Sequence, residues 1–366
     1  MDKDENYGLS TEKPNQQIKP PKIEYLPPKP KVYRPKIGLI GAGGISGYHL
    51  KAYKEMGLEV VAIASRTLEK AVQRRDEYFP DAVVFEDYRE MLKREEIEVL
   101  DITPHPVDRI PIIREALLCK KHVLSQKPFV LDVNEGRDLI RLARENKVKL
   151  AVNQNGRWAP HFNYVRQAIR QGLIGRPVSV DFSLQWDQTW ISGNPAFEEI
   201  PHMVLLDFAV HWFDIAAAFM EGQKATSIYA STIRYNEQEY QPPALASCII
   251  NYRQAQVRMA FNAHARWGEE DVTTVVGTEG TLRSRGPGLN EQPLIEVYTK
   301  TGEVKVPLEG SWFENGFKGA MGELLCAIEE DREPSHGAAD NLRSLELCFA
   351  ALESADTNQM VSFTLP

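Results

Sequence analysis

Between residues 36 and 157, short apolar runs alternate with amphipathic stretches of helical length. Strands that alternate with helices in this way predict a parallel sheet built from βαβ units. Because the runs are apolar almost throughout, we expect helices to cover both faces of the sheet. The predicted strands are Lys36–Ile40, a run with Val60, Val61 and Ile63, then Val83–Phe85, Val99–Ile102, His122–Leu124 and Lys149–Val152. The predicted helices are a segment that ends at Met56, then Leu68–Tyr78, Tyr88–Lys93, Ile110–Leu118 and Val133–Glu145.

Residues 158–366 show a different pattern, in which strands follow one another with few helices between them. This order predicts a mostly antiparallel sheet with one face exposed or used in an interface. The whole chain is therefore expected to be an α/β protein with a doubly wound parallel domain and a second, open-sheet α/β domain. The predicted strands are Val178–Trp186, Ser227–Tyr235, Ala246–Tyr252, Gln256–Ala263, Val272–Val276 and Thr281–Arg285. The predicted helices lie near Phe162–Gln171, Val204–Met220, Phe317–Glu329 and Ala339–Ala355.

Residues 1–35 are a separate segment that holds seven of the 23 prolines and few apolar residues. Such a composition predicts an extended, largely polyproline-like chain that cannot form a core of its own. Two interpretations are open, and the first is preferred: a disordered tail, or an arm that lies on the body or on a neighbouring subunit. The anchors of such an arm would be Ile23, Tyr25, Leu26 and Tyr33.

The length of 366 residues is enough for about two domains of ordinary size. The formal net charge of −8 argues against nucleic acid or an anionic membrane as the main partner. The four cysteines are widely separated, which excludes a disulfide framework or zinc ribbon and is typical of a reducing compartment. With neither a membrane-length apolar run nor a signal-peptide core, we expect a soluble cytoplasmic protein that uses no metal.

A glycine-rich turn, Gly41-Ala42-Gly43-Gly44-Ile45, follows the first predicted strand and precedes a helix. In this context, glycines let the backbone approach a pyrophosphate at the helix N-terminus. The third position of the dinucleotide pattern is Ser46 instead of Gly or Ala, and an ordinary glycine-rich turn is the alternative. The turn therefore predicts dinucleotide binding.

The second strand ends in Ser65-Arg66, where NAD-binding sites usually have an acidic residue. A guanidinium and a hydroxyl group match a 2′-phosphate better than a bare ribose. The alternative is an exposed surface arginine without a ligand. These residues favour NADP over NAD.

One predicted helix, Val204–Met220, is apolar almost all round and is expected to be buried. Asp207, His211 and Asp214 nevertheless fall at i, i+4 and i+7, on one face of that helix. A functional site is preferred here over a structural polar network, because each titratable group needs a partner once it is desolvated. Lys127 follows the strand at 122–124 and is expected in the ligand crevice of the parallel sheet, the alternative being a solvated loop lysine.

Four motifs in order and spacing are similar to those of a known family: Gly41-x-Gly43-Gly44-Ile45, Thr103-Pro104, Gln126-Lys127-Pro128 and Asp207-x-x-x-His211. Together they resemble the Gfo/Idh/MocA oxidoreductases, over residues 36 to about 366. The resemblance implies a Rossmann domain at 36–157 and a C-terminal substrate and oligomerisation domain at 158–366. It also implies a homo-oligomer, a dimer or a tetramer.

The resemblance assigns roles to specific side chains. The implied catalytic residues are Lys127, Asp207 and His211. The implied cofactor-binding residues are Gly41, Gly43, Gly44, Ile45, Ser65, Arg66, Thr103, Pro104, His105, Gln126 and Lys127. The candidate substrate-binding residues are Arg157, Trp158, Gln185, Trp186, Asp187 and Trp190. Two features depart from the family pattern: Gln126 stands where a glutamate is usual, and bulky Pro201–Leu205 stands where glycines are common, which predicts bulk near the substrate.

The implied activity is hydride transfer between NAD(P) and a hydroxyl-bearing carbon of a sugar, a polyol or a related cyclic alcohol. His211, with an ordinary pKa near 6.5, would act as the general base near neutrality. Lys127 would stabilise the developing alkoxide, and Asp207 would position the substrate or the histidine. Two alternatives stay open, a non-catalytic dinucleotide sensor and an NAD-dependent glycosidase.

Overall fold

The computed structural model describes residues 16–363, and its N-terminal half is built on a six-stranded parallel sheet. The strand order is β3-β2-β1-β4-β5-β6, the doubly wound arrangement that the sequence predicted. The strands are β1 (Lys36–Ile40), β2 (Glu59–Ala64), β3 (Val83–Phe85), β4 (Ile97–Ile102), β5 (His122–Ser125) and β6 (Leu150–Val152). The helices are α1 (Ser46–Met56), α2 (Leu68–Tyr78), α3 (Tyr88–Leu92), α4 (Pro106–Leu118) and α5 (Val133–Glu145).

Helices cover both faces of this sheet. Ile37 and Leu39 of β1 pack into one buried cluster, whereas Ile40 packs into another on the opposite face. All three side chains are almost completely buried. The near-continuous apolar runs of these strands are explained by this double burial.

The second half of the chain is built around a nine-stranded sheet in the order β14-β13-β12-β11-β7-β10-β9-β8-β15. Every neighbouring pair is antiparallel except β7 and β10, which are parallel. The strands are β7 (Pro177–Gln185), β8 (Ala225–Ile233), β9 (Leu245–Tyr252), β10 (Ala255–Asn262), β11 (Glu270–Gly277), β12 (Gly280–Gly286), β13 (Leu294–Thr299), β14 (Gly302–Pro307) and β15 (Val361–Ser362). The helices are α6 (Pro160–Arg170), α7 (Pro195–Glu198), α8 (Val210–Phe219), α9 (Trp312–Glu329) and α10 (Ala338–Thr357).

One face of the nine-stranded sheet packs on helices and the other is open. In β9, Ala246, Cys248 and Ile250 are buried, while Ser247 and Ile249 between them are exposed. This alternation is the pattern of a sheet with a single covered face. β13, β14 and β15 were not predicted from the sequence; β14 contains two charged residues and β15 has only two residues.

The segment before α8 corrects the prediction of one continuous helix. Val204–Phe208 forms a π-helical turn, in which the amide of Ala209 donates to the carbonyl of Val204 at 2.7 Å. The regular α-helix begins only at Val210. Single π turns of this kind occur inside helices and are frequent at functional sites.

Residues 16–35 lie on the body of their own chain, so the preferred prediction of a disordered tail is wrong for this part of the segment. The backbone of Gln16–Ile18 pairs with Glu303 at the edge of β14. Ile23 is buried in the core of the second domain, and the Tyr25 carbonyl accepts a hydrogen bond from Asn163 Nδ2 at 2.6 Å. Residues 1–15 lie outside the described residues.

The arm continues to the Rossmann domain along α9. The Glu329 carboxylate accepts hydrogen bonds from three consecutive backbone amides, those of Lys31, Val32 and Tyr33, at 2.7 to 2.8 Å. Of the four predicted anchors, Leu26 alone is largely exposed. Within residues 16–363, no helix has both the length and the apolar character needed to cross a membrane.

Candidate active site

A cavity of about 1300 Å³ opens at the carboxyl ends of β1, β2, β4 and β5 and extends to the second domain. Ligands of doubly wound sheets bind at this edge. The cavity brings together all eleven residues predicted to bind the cofactor: Gly41, Gly43, Gly44, Ile45, Ser65, Arg66, Thr103, Pro104, His105, Gln126 and Lys127. Asp207 and His211 line the same cavity from the second domain.

The glycine-rich loop has the shape that a pyrophosphate requires. Gly41 has a φ of +101°, and a Cβ atom there would lie 2.5 Å from Thr103 Oγ1, so only glycine fits. Gly43 and Gly44 have no atom within 4 Å of a Cβ position, and both line the cavity. A ligand can therefore approach this backbone closely at the start of α1, where the helix dipole favours an anion.

The serine at the third position of the glycine pattern, Ser46, links the glycine-rich loop to Arg74 through hydrogen bonds. Ser46 Oγ donates to the Gly43 carbonyl at 2.6 Å and accepts from Arg74 Nε at 3.2 Å. The neighbouring Gly47 leaves room for this arginine, because a Cβ there would lie 3.2 Å from Arg74 Nη1. Neither residue was predicted to have a role, although Gly47 ends the glycine-rich turn that begins at Gly41.

Lys127 and Asp207 meet across the domain boundary. Lys127 Nζ donates to the Asp207 carbonyl at 2.8 Å and to its Oδ1 at 3.3 Å. Both side chains keep about a fifth of their surface exposed, at 19% and 24%. The ammonium group retains donor capacity for a third partner, and it sits where the cavity passes from one domain to the other.

His211 lies one helical turn after Asp207 and packs edge-on against Trp312, with ring centroids 5.5 Å apart. Its Nδ1 is buried without a partner among the described residues, which leaves Nε2 as the nitrogen open to the cavity. Burial, together with the nearby Lys127 ammonium, holds the pKa of His211 well below its usual range. The imidazole is therefore neutral at neutral pH and can accept a proton.

Several predicted site residues lie elsewhere. Arg157 and Trp158 are buried away from the cavity, which corrects their assignment to the substrate site. Arg157 Nε donates to Asp214 Oδ2 at 2.5 Å, so Asp214, the third titratable group of the predicted helix face, belongs to the packing of the domain. The pair is structural because its polar groups are satisfied by protein partners.

The candidate substrate residues at the end of β7 divide in the same way. Trp186 and Trp190 line the cavity, whereas Gln185 and Asp187 do not. The bulky segment Pro201–Leu205 also stays outside the cavity, which contradicts the prediction of bulk near the substrate. Ile200 and Leu206, the residues on either side of it, do reach the cavity wall.

The cavity wall includes residues that sequence reasoning did not find. Trp312 and Phe313, at the start of α9, come from a part of the chain far from every motif. Trp312 Nε1 donates to Asn155 Oδ1 at 3.1 Å, which fixes the indole beside His211. No sequence signal marks these two residues except the Ser311 N-cap, whose Oγ accepts from the Glu314 amide.

Comparison with known proteins identifies the family of the chain. Residues 35–154 match the family model described as an oxidoreductase family with an NAD-binding Rossmann fold. Residues 162–283 match the model of the Gfo/Idh/MocA C-terminal domain. The chain belongs to the Gfo/Idh/MocA oxidoreductase family. The resemblance inferred from the four motifs is confirmed.

Individual relatives of this Gfo/Idh/MocA protein match over nearly their whole length. D-apiose dehydrogenase of Paraburkholderia graminis is 26% identical over 348 residues, which are 90% of this chain and 90% of the relative. Inositol 2-dehydrogenase of Rhizobium meliloti is 24% identical over 343 residues, 89% of this chain and 98% of the relative. An Agrobacterium radiobacter oxidoreductase, solved with NAD+, L-tartaric acid and magnesium, superposes with a TM-score of 0.81 at 22% identity, over 90% and 98% of the two chains. The last comparison confirms the predicted fold.

The glutamine that departs from the Gfo/Idh/MocA pattern has a local cause. His49 Nδ1 lies 2.7 Å from Asp101 Oδ2, and the carboxylate requires the imidazole proton at that nitrogen. His49 Nε2 is then an acceptor, and it lies 3.1 Å from both Gln126 Nε2 and Asn153 Nδ2. Because the Gln126 Oε1 accepts from the Lys127 amide at 2.7 Å, its amide nitrogen points to His49. A carboxylate at 126 would face a lone pair, so an amide fits this histidine.

Proposed function

We propose that this Gfo/Idh/MocA protein transfers a hydride between NAD(P) and a hydroxyl-bearing carbon of a neutral sugar, polyol or related cyclic alcohol. The observation that supports the proposal most directly is the convergence of Lys127, Asp207 and His211 at one end of the cavity. The glycine loop stands at the other end of that cavity. A dinucleotide held by the loop would extend toward the three side chains.

The residues of the chain have separable tasks in the proposed reaction. When bound, the nicotinamide supplies hydride chemistry. His211 Nε2 accepts the proton of the substrate hydroxyl, and its neutral state favours this direction. The free donor of Lys127 stabilises the negative charge that develops on the same oxygen. Asp207 positions Lys127 through the two hydrogen bonds to its ammonium.

The lining of the second-domain end of the cavity supports a neutral substrate. Among the described residues that line it from 155 onward, none is a lysine or an arginine. Lys127 reaches this end of the cavity but is paired with Asp207, so a carboxylate or phosphate on the substrate would lose its hydration there without gaining an unpaired cation or a guanidinium partner. Aromatic faces cover the C–H faces of a ring, and a few amides can bond its hydroxyls. The aromatic and amide residues in question are Trp186, Trp190, Phe197, Phe208, Trp212, Trp312, Phe313, Asn155, Gln188 and Asn194.

Two relatives support the substrate class by their names, a D-apiose dehydrogenase and an inositol 2-dehydrogenase. One is named for a sugar and the other for a cyclic polyol. We extend this class, but neither of the two substrates, to the present chain. For the cofactor we propose NADP over NAD, because Ser65 and Arg66 line the cavity at the end of β2 where an acidic residue is lacking.

The test is a turnover assay with purified protein, both oxidised dinucleotides and a panel of neutral sugars and polyols. Matched uronic acids and sugar phosphates serve as the anionic controls. We expect reduced nicotinamide to accumulate, measured by its absorbance, with neutral members of the panel and not with their anionic counterparts. Tight dinucleotide binding without turnover of any compound would favour a sensor. Cleavage of a glycoside without accumulation of reduced nicotinamide would favour a glycosidase.

A further inference from the structure

Two residues that line the cavity near the end of β2 form an ion pair. Arg66 Nη2 lies 2.9 Å from Asp108 Oδ2, and Arg66 Nη1 lies 3.4 Å from Asp108 Oδ1. Arg66 follows β2, whereas Asp108 lies in the first turn of α4, after β4. Both residues line the cavity, at the end remote from Lys127 and next to the glycine loop. The guanidinium that would bind a 2′-phosphate therefore already has a carboxylate partner.

The two groups of this pair have opposite preferences for the ribose of a dinucleotide. A guanidinium binds a phosphate through two parallel hydrogen bonds. A carboxylate accepts hydrogen bonds from ribose hydroxyls and repels a phosphate. Asp108 thus presents, from α4, the kind of group that the end of β2 lacks.

We propose that Asp108 is a residue that determines cofactor specificity, and that it restrains the preference for NADP that Arg66 alone would produce. The inference rests on the proposed function, because it concerns the dinucleotide of that same site. When NAD is bound, Asp108 retains its ion pair with Arg66 and accepts a hydrogen bond from a ribose hydroxyl. With NADP, the 2′-phosphate competes with Asp108 for the guanidinium.

The exposure of the pair allows this competition. The side chains of Arg66 and Asp108 are 84% and 42% exposed, and exposed ion pairs are weak. Lys70 and Glu86 also line this end of the cavity, one of each charge, and neither is hydrogen-bonded to Arg66. Arg109 points away, since its guanidinium donates to the carbonyls of Pro104 and Pro128. Asp108 is therefore the acid that acts on Arg66.

The experiment measures the binding of NADH and NADPH to the purified protein by fluorescence, which requires no turnover. In Asp108→Asn, we expect the ratio of the two dissociation constants to shift toward NADPH by about threefold to tenfold, because a competing carboxylate that also repels the phosphate is removed. In Arg66→Ala, the ratio is expected to shift toward NADH. The double variant should resemble Arg66→Ala, because the amide at 108 then has no guanidinium to release.

The matched control is Asp138→Asn, which removes an exposed acid paired with Arg141 on α5, outside the cavity. It should leave the ratio within about twofold of the unmodified protein, as a general effect of net charge would be small. The inference is overturned if Asp108→Asn also leaves the ratio within twofold, or if the double variant shifts it toward NADPH. Because binding is measured directly, a protein that binds both dinucleotides but oxidises no substrate would refute the proposed function and leave this result intact.

Discussion

Two ion pairs, Lys127–Asp207 and Arg157–Asp214, differ in how far they are buried, although their two acids lie on the same stretch of chain. Asp214 is buried, and its oxygens accept from Arg157 and from Ser344 Oγ. Asp207 is partly exposed, and its Oδ1 accepts from Lys127 at the long distance of 3.3 Å. The two pairs contain similar charges, but only one of them has unused hydrogen-bonding capacity facing a cavity.

This difference separates structural from functional charge. A buried pair with every lone pair satisfied holds elements together and has nothing left for a ligand. A partly exposed pair with spare donors is stabilised less, and it can exchange a partner for a substrate oxygen. Removal of a charge should therefore affect stability in the first pair and turnover in the second.

The largest expected effect is the loss of stability in Arg157→Met. The change leaves the Asp214 carboxylate buried without its cation, which costs ~3–5 kcal/mol in free energy of unfolding. Urea denaturation followed by circular dichroism measures it. The control is Arg170→Met, which breaks an exposed pair with Glu221 and should cost below ~1 kcal/mol. Equal stability of the two variants would contradict the distinction.

The next effect concerns turnover in Lys127→Met. We expect kcat to fall on the order of 10²-fold, while the melting temperature stays close to that of the unmodified protein and the dinucleotide still binds, because the glycine loop holds its pyrophosphate. His211→Ala should lose a similar factor, and the double variant should be little worse than the worse single one, because the two groups act on one oxygen. Near-normal turnover in both single variants would remove these residues from the mechanism.

A third acid, which is buried like Asp214, extends the comparison because no cation is paired with it within residues 16–363. Both carboxylate oxygens of Asp271 on β11 are buried, and burial raises its pKa to about 8, while the nearby Gln292 side chain lowers it by less. A folded-state pKa above the unfolded value means that stability falls as the pH rises from about 4 to 8. Asp271→Asn should raise the free energy of unfolding on the order of 1 kcal/mol at pH 8 and by less at pH 5. Thermal melts of both proteins across that pH range measure this effect. A difference in melting temperature that does not change with pH would contradict the raised pKa of Asp271.

The smallest effect is a shift in a pH profile. Burial and the Lys127 ammonium lower the pKa of His211. The imidazole therefore remains neutral at a pH just below 6.5, where an ordinary histidine would be mostly protonated. The acidic limb of kcat/KM for alcohol oxidation should therefore lie below pH 6.5, not near neutrality as the sequence alone predicted. In Lys127→Met the residual activity should show this limb at higher pH, because one cause of the lowered pKa is gone. A limb at the same pH in both proteins would assign it to another group.

Local patterns made much of the fold and part of the site predictable. The apolar runs of β1–β6 and the amphipathic helices between them depend on neighbours in sequence, and α2 and α5 begin and end where they were predicted. Asp207 and His211 were found because two titratable side chains one helical turn apart stand out in an apolar segment. The glycine loop was found because its glycines lie between a strand and a helix.

The remainder depends on contacts between distant residues. Arg157 and Trp158 have the residue types of a sugar site, and only their burial against Asp214 and α9 shows that they are structural. Trp312 reaches His211 from 101 positions further along the chain, without a motif. The π turn differs from an α-helix by a single hydrogen-bond register, which the apolar pattern of Val204–Phe208 does not encode.

The docking of the N-terminal arm sets an order of events for the nascent chain. Lys31, Val32 and Tyr33 are 296 to 298 positions before the carboxylate of Glu329 that accepts their amides. At about 5–20 residues per second, the ribosome needs roughly 15–60 s to make the intervening chain. Residues 31–33 are therefore synthesised well before the carboxylate on which they dock, and they stay undocked while the intervening strands of both sheets are made. A polar, proline-rich sequence suits a segment that stays undocked for this time, because it neither collapses nor pairs with exposed strand edges.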